Sequence, residues 1–333
     1  MRKHYREIDI LKGLAIAMVI FGHSIIVFPI NLNLIRPYGF FHRLMSSAHM
    51  PLFFLVSGFC FYFTNWREHL VKKAKRILIP YVVFELLILV ANLFASEYIN
   101  NSTDIKGSLI AVLTGENYWF LYTLMIIFIV FPPIRRLFEN RVVGAISLIV
   151  ICALGMLPFI PYRANLANAA KYLLYFSLGY YLKLRFEENE QSCIVLAKRI
   201  ATVPTWLIGF ACWTALAYAM YKRSFPIPRI PLLAVNIVTA LLGIFTVSVF
   251  AVLIRRIRIS KLFEEAGKYS LQLYLFNGFL LTLTRILLIN VLHITSPIVI
   301  IAVIFSVSFF LSLAVIKFVV KPVKLFRVLC GMV

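Results

Sequence analysis

The sequence predicts an all-α polytopic membrane protein of about ten transmembrane helices, with both termini in the cytoplasm. Three observations predict it. Hydrophobic residues fill 62% of the 333 positions and charged residues only 14%, which leaves too little polar surface to coat a soluble globule. Apolar runs of roughly bilayer length recur along the whole chain. Lys and Arg gather in alternate connections between those runs. The formal net charge of +21 is spread among these connections, with no solvated domain to carry a binding face, so nucleic acid is excluded as a partner.

The runs fall at roughly 10–28, 48–65, 77–95, 118–134, 142–160, 170–184, 203–221, 231–254, 268–290 and 297–319, most near the ~20 residues a span requires. The sixth is the shortest, running between Lys171 and Lys183, and is read as a short or tilted helix. One set of connections holds Arg2, Lys3 and Arg6; Arg67, Lys72, Lys73, Lys75 and Arg76; Arg135, Arg136 and Arg141; Lys183, Arg185, Lys198 and Arg199; Arg255, Arg256, Arg258, Lys261 and Lys268; and the tail from Lys317 to Arg327. That face is cytoplasmic. The opposite set is poorer, with Arg36, Arg43, Lys106, Arg163, Lys171, Lys222, Arg223 and Arg229, and its stretch Asn100–Asp104 is externally solvated. The alternation favours an even number of spans. The first run follows a basic start, as in a signal peptide, but Pro29-Ile30-Asn31 after Phe28 offers no small-residue cleavage site, so it is expected to stay as a helix. The five cysteines are scattered, with no metal-ligand spacing. No repeat or linker divides the chain, so residues 1–333 are read as one transmembrane domain, placed in the bacterial inner membrane in contact with lipid.

Ionisable residues within a bilayer are costly, and they mark the places where chemistry is expected. Asp9, Lys12 and His23 lie on the first helix; an 11-residue step returns to within about 20° of the same face and advances about 16 Å. Asp9 and Lys12 therefore stand near the cytoplasmic surface and His23 in the outer half. Lys12 has a bland alternative, snorkelling to the headgroups, and His23 another, a core histidine bonded to a neighbouring helix. The second run, travelling inward, opens with His49-Met50-Pro51, which puts His49 at the same outer level, Pro51 in a first helical turn, and Ser57-Gly58 where another helix can approach closely. Lys72, Lys73, Lys75 and Arg76 concentrate charge at the cytoplasmic mouth of the third helix. They fit positive-inside anchoring, or a phosphate grip with Lys73 and Arg76 one turn apart. Glu85 is an acid within that helix and needs a partner, Arg76 or Lys12. Glu116 and Trp119 lie at the outer end of the fourth helix, in an aromatic belt.

These residues resemble the acyltransferase-3 family of integral-membrane O-acyltransferases, which modify sugars and other acceptors. Arg6-Glu7-Ile8-Asp9-Ile10-Leu11-Lys12-Gly13-Leu14-Ala15 followed by His23 resembles the family's opening signature. His49-Met50-Pro51-Leu52-Phe53-Phe54-Leu55-Val56-Ser57-Gly58 resembles its second-helix motif, and Lys73-x-x-Arg76-Ile77-x-x-Pro80-Tyr81 its basic segment. Tyr118-Trp119-Phe120-Leu121 and Gly267-x-x-Ser270-x-x-x-Tyr274-Leu275 are similar to weaker blocks. The family commonly has Arg where Lys12 and Lys73 stand, which weakens a bidentate grip while keeping the charge. Asn277 stands where many members have a histidine, so the ninth helix is assigned no catalytic group. The expected chain has no appended extracytoplasmic hydrolase-like domain and delivers the acyl group by the membrane domain alone.

The resemblance implies acyl-CoA, in particular acetyl-CoA, as donor, with phosphates near Lys72, Lys73, Lys75 and Arg76, its pantetheine arm along the first helix, and Lys12 guarding the entrance. His23 would be general base or covalent relay, and His49 would support that step or orient the acceptor, a hydroxyl of a cell-envelope or lipid-linked glycan. No tightly bound cofactor or metal is expected. The competing class is a transporter or flippase for an anionic or lipid-linked solute; the absence of a repeat with paired broken helices, and the clustering of charge in the first third, weigh against it.

Overall fold

A backbone surrounded by lipid has no water to satisfy its N–H and C=O groups, so an apolar run becomes a helix that pairs them internally. The computed structural model, which describes residues 5–26, 32–94, 105–157, 160, 163–223 and 226–332, is helical with no β-strand among those residues. Arg2 and Lys3, the Pro29-Ile30-Asn31 segment and the Asn100–Asp104 stretch lie outside the described residues. In chain order the helices are α1 (Arg6–Ile25), α2 (Arg36–Phe59), α3 (Trp66–Lys73), α4 (Ile79–Phe94), α5 (Ile105–Thr114), α6 (Trp119–Ile134), α7 (Arg141–Gly155), α8 (Leu166–Glu188), α9 (Glu190–Ile200), α10 (Val203–Lys222), α11 (Arg229–Ile254), α12 (Ser260–Lys268), α13 (Ser270–Arg285), α14 (Pro297–Val320) and α15 (Lys324–Leu329). A π-helical stretch, Ala74–Leu78, joins α3 to α4, and two more lie within α14.

Among the described residues, six stretches are long and apolar enough to cross a membrane: Arg6–Ile25, Leu109–Phe138, Val203–Lys222, Arg229–Ile254, Ser270–Val291 and Pro297–Val320. Gly115, at φ +73°, breaks the second of these, so its membrane-length part is α6 with the 3-10 turn that follows to Phe138. The expected runs near 48, 77, 142 and 170 are helical as α2, α4, α7 and α8, but each is too short or too polar to join that set.

Two compact units divide the chain: Met1–Val56 with Arg185–Ala314, and Ser57–Leu184 with Val315–Val333. In the first unit, α1 packs on α12, α13, α11 and α14. Its crossing with α12 is backbone against backbone. A Cβ added to Gly13 would lie 1.9 Å from the Phe263 carbonyl oxygen, and one added to Gly267 would lie 1.7 Å from that of Asp9. Both glycines of the family-like motifs are therefore required by the same close approach. The N-terminus of α1 is tied down by ions: Arg6 Nε lies 2.5 Å from Glu264 Oε2, Lys268 Nζ 2.7 Å from Glu264 Oε1, and Arg255 Nη1 2.9 Å from Glu7 Oε1.

The second helix differs from expectation. It begins at Arg36, so Pro51 lies inside it and not in its first turn. The polar residues that interrupt the apolar run find partners on neighbouring helices instead of water: Trp213 Nε1 donates to Ser47 Oγ at 2.9 Å, Arg43 Nη2 to Asn236 Oδ1 at 3.1 Å, and Tyr221 Oη to the Arg36 carbonyl at 3.1 Å. Such pairing makes polar side chains tolerable at membrane depth.

In the second unit, Phe61 packs edge-on or stacked against Phe128, Phe131, Phe176 and Tyr180, with ring centroids between 5.1 and 6.1 Å apart. The buried His69 closes one side, its Nε2 donating to the Phe128 carbonyl at 2.9 Å. Gly58 permits close approach as its sequence position implied: an added Cβ would lie 1.9 Å from the Phe176 carbonyl oxygen on α8.

Candidate active site

In the first unit, the face of α1 predicted to carry chemistry begins with a pair. Asp9 is buried, and its Oδ1 accepts from Lys12 Nζ at 3.2 Å. A carboxylate removed from water needs such a cation, and Lys12, one turn on, supplies it with its side chain still 25% exposed. Gly267 leaves room for the Asp9 backbone, so α12 fixes the position of this pair.

His23 lies in the last turn of α1. Its side chain is exposed. Its Nδ1 stands 2.9 Å from Asn277 Nδ2 on α13. His49, 7% exposed, has its Nδ1 2.7 Å from the Met45 carbonyl. A carbonyl only accepts, so the proton of the neutral His49 ring is on Nδ1 and its Nε2 is unprotonated. His23, His42 and His49 are near enough to feel one another's charge. The His42 ring lies beside Gly22, 3.8 Å from where a Cβ would be, with Nε2 3.2 Å from Ser46 Oγ. Lys12 and Asp9 sit toward the other end of α1, about 16 and about 21 Å from His23 along the axis.

Two of these residues escaped the sequence. His42 stands seven positions before His49, a helical repeat that becomes visible only once α2 is known to begin at Arg36. Asn277, on a helix to which the sequence assigns no catalytic group, has its amide against His23.

In the second unit, Lys72 is exposed and lies 3.3 Å from Glu68 Oε2, while Lys75 and Arg76 are exposed. Lys73 is half-buried, with Nζ 3.6 Å from the centroid of the Phe128 ring. Lys75 and Arg76 fall in the π-helical stretch, so Arg76 is not one regular α-turn beyond Lys73. Glu85 is fully buried, and neither Arg76 nor Lys12 is its hydrogen-bond partner: Oε2 accepts from Asn117 Nδ2 at 2.8 Å and Oε1 from the Tyr118 backbone N–H at 3.1 Å. The reason is the positive end of α6, whose first free N–H groups attract a carboxylate. Glu116 is exposed, its Oε1 accepting from Thr114 Oγ1 at 3.2 Å, and Trp119 packs on Tyr172 at 5.5 Å. Outside the spans, burial pushes the His69 imidazole below its ordinary value. Among the described residues no three His, Cys, Asp or Glu side chains gather as a metal site.

The pattern of a histidine and an ion pair along α1, a second histidine on α2 and a basic segment before α4 agrees with a family match that runs from Tyr5 to Lys317. The model of an acyltransferase domain, that of the acyltransferase-3 family, matches residues 5–317. The chain belongs to the acyltransferase-3 family. With several membrane-length apolar helices, this family member is a multi-pass membrane protein. It is similar to the Nodulation protein NolL of Sinorhizobium fredii (strain NBRC 101917 / NGR234), 24% identical over 214 residues, covering 62% of this chain and 56% of that protein. The chain thus matches little more than half the length of that relative. No solved structure matches.

Proposed function

We propose that this acyltransferase-3 chain is a membrane-bound O-acyltransferase that moves an acyl group, acetyl foremost, from cytoplasmic acyl-CoA to a hydroxyl of a cell-envelope or lipid-linked glycan. The observation that carries this reading is His23: an imidazole at the end of a membrane-length helix, reachable by solvent and bonded by a buried amide. A histidine so placed suits general-base work near neutral pH. One ring nitrogen of His23 removes the proton of the acceptor hydroxyl as its oxygen attacks the thioester carbonyl carbon. The C–S bond then breaks, and CoA leaves as a thiolate that takes up a proton. His49, with its unprotonated Nε2, assists by orienting the acceptor. Asp9 and Lys12 guard the donor's entry. Lys72, Lys75 and Arg76 supply exposed positive charge for the CoA phosphates, with Lys73 beside them.

The reading is tested by incubating purified protein in detergent with radiolabelled acetyl-CoA and a panel of cell-envelope glycans. Label appearing on a glycan in an ester bond supports it. Label remaining on CoA with every acceptor, in folded protein that binds the solute, would return the chain to the transporter class.

A further inference from the structure

We propose that Asn277 is a positioning residue for His23, its carboxamide oxygen holding the imidazole proton on Nδ1 so that Nε2 is left free to act as the base. The consequence for turnover rests on the acyl-transfer reading of His23, whereas the tautomer itself does not.

Three observations meet here. Asn277 is 2% exposed, and its amide lies 2.9 Å from His23 Nδ1. Its Oδ1 is buried with no hydrogen-bond partner, an unfavourable state for a carbonyl out of water. The two ends of a carboxamide fill nearly the same volume, so a half-turn of the amide brings Oδ1 to face Nδ1. That orientation gives the orphaned oxygen a donor, the Nδ1–H of His23. With Nδ2 facing Nδ1 instead, the ring proton must sit on Nε2, and His23 has no nitrogen free to take a proton from a hydroxyl. The third observation is His49, whose Nδ1 already faces an oxygen, the Met45 carbonyl, at 2.7 Å. An oxygen behind Nδ1 would then set both rings alike. The contact also ties the end of α1 to α13, two helices that pack along one another, so the ring is held in angle as well as in tautomer.

The experiment is nitrogen NMR on full-length protein labelled with 15N-histidine in detergent, with His23 signals assigned by their loss in His23→Gln. Protonated and unprotonated ring nitrogens are well separated in shift, so the tautomer is read directly. The expected spectrum has His23 protonated on Nδ1 and bare on Nε2. Asn277→Leu should move the proton partly or wholly to Nε2 and lower kcat about 100-fold, with KM for acetyl-CoA little changed. Asn277→Asp, which keeps an oxygen acceptor in place, should restore the Nδ1–H tautomer and part of the turnover. A wild-type His23 protonated on Nε2, or an Asn277→Leu spectrum identical to wild type, overturns the proposal whatever the activity. If Asn277→Leu does not fold, the wild-type spectrum decides alone. Absence of acyl transfer by a wild-type protein that shows the expected tautomer counts against the proposed function and not against the Asn277–His23 pairing.

Discussion

Replacing His23 by Ala separates its chemical role from a packing role, because the two make different demands on the same side chain. A histidine that only fills space costs stability, and activity then falls in step with the folded fraction. A base that removes the acceptor proton takes the step with it, a loss of ~100-fold or more. His23→Ala, which unpairs the buried Asn277 amide, is therefore expected to lower the thermal midpoint modestly and to keep CoA binding while losing acyl transfer far beyond the loss of folded protein, all three measured on one preparation; turnover that merely tracks folded protein would make His23 structural. What the sequence disclosed at this scale follows from distance along the chain. Asp9, Lys12 and His23 share one helix, so their common face could be read from spacing alone. Asn277 lies 254 positions from His23, and a lone amide in an apolar run carries no periodic signal of its partner. The partners of Glu85 were hidden for another reason: a backbone N–H at the start of α6 takes the place of a side-chain cation, and no residue type in the sequence marks it.

Between helices, the α1–α12 crossing decides how firmly the Asp9–Lys12 pair is held. Gly267→Ala would drive a Cβ to within 1.7 Å of the Asp9 carbonyl oxygen, an obstacle that no side-chain rotation relieves. The expected cost is on the order of 1–3 kcal/mol or more, seen as a lowered unfolding midpoint, whereas Gly278→Ala, with open space around it, should behave as wild type. The ionic clasp beside this crossing carries a pH signature. Hydrogen bonds from Lys268, then Arg6, hold the Glu264 carboxyl below its ordinary value of 4.5. A lowered carboxylate contributes stability that is present above its unfolded value and is lost as pH falls through the folded one. Solvent screening limits the contribution to about 0–1 kcal/mol. Glu264→Gln should thus unfold slightly earlier than wild type at neutral pH, and the gap should narrow as pH falls below the ordinary glutamate value; a gap that persists in strong acid points to lost packing instead. The basic segment gives a third prediction. Arg76→Glu reverses an exposed charge and should raise KM for acetyl-CoA with kcat little altered, whereas Lys73→Glu would also remove the contact with Phe128. Unchanged donor kinetics in Arg76→Glu leave these cations as membrane anchors. Most of the elements were legible as apolar runs. The start of α2 was not, because Arg43 and Ser47 look like a polar loop until Asn236 and Trp213 are seen to satisfy them.

Across the whole molecule, positive charge and hydropathy give two numbers of crossings, and these place two connections on opposite sides of the membrane. Among the described residues, hydropathy and length select six membrane-length stretches, while the alternation of Lys and Arg implies about ten. Both numbers are even and both return the carboxyl end to the starting side, so with the cytoplasmic start that the Lys and Arg bias predicts, a reporter fused after Arg327 is expected to be cytoplasmic in either case. The two schemes part company between α2 and α4 and again between α7 and α8, and the first of these carries the denser charge. If only the six cross, the segment holding Arg67, Lys72, Lys73, Lys75 and Arg76 stays outside with α2 and α4, against the positive-inside bias. If α2, α4, α7 and α8 cross as well, that segment is cytoplasmic, where acyl-CoA is found. The pairing of Ser47 and Arg43 with neighbouring helices explains why α2 can cross while scoring as polar. Lys72 is the position to probe, since its side chain is 71% exposed and joined only to Glu68 by a surface ion pair. Lys72→Cys, made in a variant with the five native cysteines replaced, should resist a membrane-impermeant maleimide in intact cells and react once the cells are permeabilised. Labelling in intact cells would put the basic segment outside, and a cytoplasmic acyl-CoA could not use it.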